Sequence, residues 1–257
     1  MRKFLFLISS ILFFIFSAIP VNVALDSTKV SNQAAEAYYA QRYDESESLY
    51  TGLLKTGKIS GHLYYNLGNI AVNQGKPGEA VWYYEKALRL MPRDADLRAN
   101  ISFVKNRLGE PFETEIPLLS FSRLFFFWNS WLTLGESFLF WGVTVALFFV
   151  FATFSLFGWG HKLKNVVLLS LMMMLVTTAA TSVKLYEEKG IDWAVILENN
   201  VGVKPTFLEG QKAWFNLRAG DKVRVVSRQE VGDQKWIQIE VRGGQKGWIL
   251  EEEGGLI

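Results

Sequence analysis

Two long stretches without a single charge constrain this chain more than any other feature. Ser137 to Gly160 holds no acid or base, and Phe138 to Phe157 within it is almost wholly aromatic and aliphatic. Asn165 to Val183 repeats the pattern around Met172, Met173 and Met174. Each stretch is long enough to cross the ~30 Å hydrocarbon core of a bilayer as a helix, in which the backbone pairs its own polar groups. Two core helices of a soluble domain would need apolar cover on all sides, and the rest of the chain has too little to supply it. Spans at 137–158 and 165–184 are therefore expected, joined by a short loop at 159–164. Lys162 and Lys164 lie in that loop, and short basic loops stay in the cytoplasm.

The N-terminus gives an independent cue to topology. Arg2 and Lys3 precede an apolar run from Phe4 to Ile19, then Pro20 and small residues ending at Ala24. This is the layout of a signal peptide over residues 1–24, with an uncleaved anchor as the alternative. In both cases the chain from Asp26 onward leaves the cytoplasm. A two-span hairpin then returns the C-terminal part to the same, extracytoplasmic side. The expected setting is a bacterial inner membrane with the flanking domains on the periplasmic face.

Between the leader and the spans the chain shows internal periodicity. Tyr64, Leu67, Gly68 and Ala71 are followed, after a turn at Gly75, by Ala80, Tyr84, Ala87 and Pro92. Small residues at Gly68, Ala80 and Ala87 let two helices approach closely, while larger neighbours fill the gaps. This spacing resembles the tetratricopeptide repeat, and residues 61–94 form one unit. Moving back one period of ~34 residues puts Ala34, Ala37, Tyr43, Ser46 and Tyr50 in equivalent places, which gives a degenerate first repeat over 27–60. Moving forward gives a lone helix over 95–108 that caps the array before Gly109 and Pro111. The repeat region is thus 25–110. In this register Tyr38, Tyr65, Asn69 and Asn73 line the concave face. The asparagines can clamp a partner backbone, and the tyrosines either offer contact area or pack against the neighbouring repeat.

Residues 117–135 are rich in Leu, Phe and Trp, with Arg123 among them. They are expected to lie along the outer membrane interface, with Thr133 and Glu136 capping the first span. From residue 191 the composition changes to β-branched residues and glycine. Trp193–Leu197, Lys222–Val226 and Trp236–Val241 read as strands, the last two alternating at period two. With Leu217-Arg218-Ala219-Gly220-Asp221 and Gly247-Trp248-Ile249 they resemble bacterial SH3 domains, which implies a small all-β barrel over 191–257 binding cell-wall peptide or protein. Trp236 is the surface aromatic expected to serve such a site, and Trp248 the core one.

The fold class expected is therefore a multi-domain membrane protein: an all-α repeat array, a two-helix transmembrane hairpin and a C-terminal SH3-like barrel. Over its full length the order of parts resembles the BatE family of the Bacteroides aerotolerance (Bat) operon. The motifs that carry this resemblance are Leu67-Gly68, Ala80, Pro92, the Lys162/Lys164 loop and Gly247-Trp248. It implies membrane partners with von Willebrand factor A domains and a role in oxidative stress tolerance or envelope integrity.

Chemistry is scarce in this sequence. It has no cysteine, and its two histidines, His62 and His161, fall on opposite sides of the membrane in the expected topology. That argues against thiol and His-based catalysis and against zinc sites. No phosphate-cradling loop or Gly-x-Ser-x-Gly elbow occurs. A net charge of +2 gives no basis for binding nucleic acid. The sequence is read as a non-enzymatic scaffold without cofactor, with binding of peptidoglycan as the alternative.

Overall fold

The computed structural model describes residues 21–109, 113–114, 116–156, 160–207, 211–241 and 244–257. Most of the expected signal peptide, residues 1–20, lies outside them. The chain divides into two compact units, Met1–Ile59 and Ser60–Ile257.

In the first unit, α1 (Val21–Tyr39) turns sharply at Gln41, whose φ is +60°, into α2 (Tyr43–Lys55). Ala34 and Ala37 are fully buried, together with Tyr50 and Leu53. Ser46, also buried, donates its hydroxyl to the Ala34 carbonyl at 2.7 Å. A polar residue thus occupies a small-residue position without leaving an unpaired group.

The second unit opens with α3 (Gly61–Asn73), α4 (Pro77–Leu90) and α5 (Ala95–Leu108). Gly68 is the point of closest approach between α3 and α4, since a Cβ there would collide with the Tyr84 ring. Pro77 starts α4 where its missing N–H is harmless. Asp94 caps α5 by accepting from the Leu97 amide at 2.8 Å, and Gly109 ends it at φ +78°.

Next come α6 (Pro117–Phe125), a 3-10 turn at Phe127–Trp131, α7 (Leu134–Phe154) and α8 (Gly160–Lys189). Thr133 and Glu136 form a reciprocal capping box at the start of α7, as the sequence suggests. Helix α8 already includes Gly160, so most of the stretch expected as a loop is helical, and the helix runs on to Lys189. Residues 157–159 lie outside the described residues. Two helical stretches, Leu134–Phe154 and Leu163–Lys189, are long and apolar enough to cross a membrane, and only 11% and 17% of their most apolar windows are buried. That exposure sets them apart from core helices. Where they face each other the contact is polar: Thr144 and Thr177 hydroxyls meet at 2.8 Å, and Trp141 Nε1 donates to Thr178 at 3.0 Å. Asn129 donates to the Ala180 carbonyl at 2.9 Å and accepts on its own carbonyl from Lys184 Nζ at 3.3 Å.

The last part is a five-stranded antiparallel sheet of order β6-β5-β4-β1-β7 and a two-stranded sheet, β2-β3. The strands are β1 (Asp192–Ile196), β2 (Val201–Val203), β3 (Phe215–Leu217), β4 (Lys222–Val231), β5 (Gln234–Glu240), β6 (Lys246–Leu250) and β7 (Gly254–Leu256). Lys204 and Trp248 exchange backbone hydrogen bonds of 3.0 and 2.8 Å, which joins the two sheets. Ile196, Val203, Leu217, Val223, Ile237, Ile239 and Ile249 fill the space between them.

Strand β1 is buried on both faces, which is why Trp193-Ala194-Val195-Ile196 is continuously apolar rather than alternating. Ala194 and Ile196 enter the sheet core, whereas Val195 packs with Ala80, Val81, Tyr84 and Ala87 of α4. The repeat's hydrophobic core therefore takes in Val195 and Ile257 of the sheet part, beside the sheet's own core.

Candidate functional site

The candidate residues on α3 form a polar cluster with α4 and α5. Asn69 Oδ1 accepts from the Tyr84 hydroxyl at 2.7 Å and from Asn100 Nδ2 at 3.1 Å. The same Asn100 amide also donates to the Tyr65 hydroxyl at 3.1 Å. Asn73, one turn on and exposed, donates to the Asn69 backbone carbonyl at 2.8 Å. The carbonyl end of Asn69 is thus engaged within the fold, and the residue organises three helices. Beside this cluster α5 exposes Phe103, with the Arg107 guanidinium 5.4 Å from its ring centre. Asn100 and Phe103 belong to this face too, although they lie on the helix the sequence reading treats only as a cap.

Tyr38 sits in the first unit, half-buried, in edge contact with Tyr39 and Tyr43 at 5.7 Å each. Trp236, expected at the surface, is only 5% exposed, and Lys204 Nζ lies 5.0 Å from its ring centre. The two tryptophans exchange the expected roles. Trp248 is the half-exposed one, meeting Phe207 edge-on at 5.1 Å, and Trp214 nearby in sequence to β3 is exposed.

On the opposite side of α4 from α3, the repeat is fastened to the sheet. Glu85 is buried and takes Lys222 Nζ at 2.9 Å on one oxygen and Lys105 Nζ at 3.1 Å on the other. Burial alone would push its carboxyl up; the two ammonium groups outweigh that and hold it down to about 2. Lys105 reaches Glu113 as well, at 2.6 Å; burial acts to lower its value, but the two carboxylates win and it is raised. Thr114 then hydrogen-bonds backbone atoms of Lys222 and Glu240. The Trp82 indole donates to the Leu256 carbonyl at 2.8 Å, Gly255 makes room for the Trp82 ring, and Gly78 lets α4 approach the Leu197 backbone. A charge between Tyr84 and Ala87, on the buried stripe of α4, is the one sequence signal that could have revealed this junction.

Among the described residues no cluster of His, Cys, Asp or Glu could hold a metal ion. The family model of the tetratricopeptide repeat matches residues 61–94. Those residues form a tetratricopeptide repeat, α3 and α4. No curated protein matches the chain. Repeats of this kind support protein–protein interaction, and here the repeat's α4 side is already occupied by the sheet. Among the described residues of this unit, the α3 and α5 face carries Asn73 and Phe103, which are exposed, and Tyr65 and Asn100, which are half-buried.

Proposed function

We propose that this chain is a membrane-anchored, non-catalytic scaffold that binds a protein partner on the α3 and α5 face of its tetratricopeptide repeat. The observation that carries the reading is the docking of the sheet's Val195 and Ile257 into the core of the repeat, locked by Glu85 and Lys222. Two domains joined in this way must lie on one side of any membrane. The apolar helices between them then have to leave and return at the same surface, as a two-span hairpin does. The basic Lys162/Lys164 stretch puts the far end of that hairpin in the cytoplasm, and so the domains outside it.

In this reading the sheet is an SH3-like module whose main task is to brace the repeat. Membership of a Bat-type complex, with von Willebrand factor A domain proteins as partners, follows the family resemblance. A photo-crosslinking residue at Phe103 tests the scaffold in native membranes. A discrete membrane-protein adduct is expected there and none from a matched position on Glu230 of β4.

Binding of peptidoglycan is the second reading, favoured by the aromatic group Phe207, Trp248 and the exposed Trp214. Co-sedimentation of the full chain with purified peptidoglycan, lost on Trp214→Ala and undisturbed by Phe103→Ala, would select it instead.

A further inference from the structure

Helix α6 turns its apolar stripe outward. Leu119 is buried against Ile191 and Trp193, with Ile116, Val183 and Ile257 packed around them, and Ser122, one turn on, is buried on the same side. Phe121, Leu124 and Phe125 stand on the other side and are 64%, 74% and 55% exposed. The Phe121 and Phe125 rings touch, with centres 4.9 Å apart. The 3-10 turn that follows adds Phe127 and Trp131, also exposed. A helix of a soluble domain shows the reverse, with such a stripe inside and its serine outside.

Contacts on the inner side fix where this segment lies. Arg123 reaches Glu187 of α8 at 2.6 Å. Further along, Asn129 donates from its side chain to the Ala180 carbonyl at 2.9 Å, and Lys184 Nζ donates to the Asn129 backbone carbonyl at 3.3 Å. Ser137, in the opening turn of α7, donates its hydroxyl to Asn129 Oδ1 at 3.3 Å. The charge-free run of α8 ends at Val183. The segment thus flanks both apolar helices at one end, across the boundary where α8 changes from charge-free to charged. From Ala180 to Glu187 that helix rises ~10 Å, comparable with the ~5–10 Å to which an interfacial helix sinks.

The chemistry of the stripe names what covers it. Residues 117–135 contain no acid, and their single charge, Arg123, meets Glu187. Phe and Trp beside a span end are the residues that gather at a membrane–water boundary. Through Asn129 and Ser137 the segment adjoins the start of α7, where Phe138 and Leu139 are exposed in the same way. One apolar medium would cover both.

We propose that α6 and the turn after it form a foot lying in the leaflet nearest the repeat and sheet. It rests on the membrane reading above and adds a second contact to it. Leu119, packed on Ile191 and Trp193, ties the foot to β1. The repeat and sheet therefore stay down on the membrane surface, because lifting them would drag the exposed rings into water.

The chain has no cysteine, so single-cysteine variants carry a polarity-sensitive nitrobenzoxadiazole probe at one place each. The full chain is reconstituted in vesicles of equimolar phosphatidylcholine and phosphatidylglycerol, with nitroxide lipid labelled near the headgroup or deep in the acyl chain. L124C and F127C test the foot, L147C in α7 tests the span, and F103C on α5 is the reference. All four positions are exposed, so the changes leave packing intact, and two foot positions guard against a local fault. Both foot probes should lose roughly half or more of their emission to the shallow nitroxide and less to the deep one, as side chains ~5–10 Å into the boundary do. The Leu147 probe should favour the deep nitroxide and the Phe103 probe neither. Foot probes that match the Phe103 probe, with Leu147 still quenched, overturn the foot and leave the anchor standing. Foot probes sheltered from both nitroxides and from aqueous iodide overturn it in favour of a protein surface. A Leu147 probe that meets neither nitroxide overturns the span reading, and the foot falls with it.

Discussion

Glu85 and Lys222 are 137 residues apart in sequence and 2.9 Å apart in the fold. One sits in the second helix of the tetratricopeptide repeat and the other opens β4, with the whole hairpin between them. Because Glu85 is buried and also holds Lys105, removing it leaves the Lys222 ammonium without its carboxylate in a partly dry site and Lys105 with Glu113 alone. Glu85→Ala should therefore cost about 3–5 kcal/mol, as breaking a buried pair does. Thermal melting followed by circular dichroism reads this directly. A change below ~1 kcal/mol, the value of an exposed pair, would mean that the junction is loose.

The same carboxyl sets an acid limit. Its folded value is about 2 against an ordinary 4.5. A group with a depressed folded value stabilises the fold above its unfolded value, and that contribution drains away as pH falls toward the folded one. The window runs from about 4.5 down to about 2. The full difference corresponds to about 3 kcal/mol. Wild type should lose stability across this window, and Glu85→Gln, less stable at neutral pH, should lose clearly less. Parallel acid curves for the two proteins would exclude the cluster as the cause.

Glycines separate close contacts from open ones. A Cβ at Gly78 would strike the Leu197 carbonyl, a backbone group that cannot swing aside, whereas Gly52 in α2 has nothing within 4 Å. Gly78→Ala should destabilise by about 1–3 kcal/mol and raise amide exchange in both α4 and β1. Gly52→Ala should stabilise by about 0.5–1 kcal/mol through helix propensity. Loss of stability from both would show that the α4–β1 approach is not what the first change disturbs.

Local patterns in the sequence carried the repeat and the apolar helices. Gly68, Ala80 and Ala87 mark close packing because small size is needed at a helix crossing whatever surrounds it. Charge-free runs such as Asn165–Val183 report their environment in the same direct way. The docking of repeat on sheet was not legible, since nothing near Glu85 names Lys222 as its partner. The two tryptophans show a related limit. Period-two alternation assigns Trp236 and Ile237 to opposite faces of β5, yet both are buried, because Lys204 lies over the tryptophan ring. Pattern tells which residues share a face, and only the fold tells what covers it.

Asn69 and Asn73 look equivalent in sequence, one helical turn apart on α3, and the structure separates them. Asn69 Oδ1 serves both Tyr84 and Asn100, so Asn69→Ala leaves a tyrosine hydroxyl and an amide each short of one acceptor inside a three-helix contact. That should cost about 1–2 kcal/mol, with the loss concentrated in the repeat. Asn73 is exposed, and its side-chain amide donates to the carbonyl of Asn69, a group the helix can satisfy unaided. Asn73→Ala should leave the melt within ~0.5 kcal/mol of wild type, as surface changes usually do. For the binding face this difference is decisive. Weaker partner capture by Asn73→Ala or Phe103→Ala reports on contact, whereas the same effect from Asn69→Ala mixes contact with folding. Should Asn73→Ala unfold the repeat while Asn69→Ala does not, the assignment of Asn69 as organiser of the α3, α4 and α5 contact is wrong.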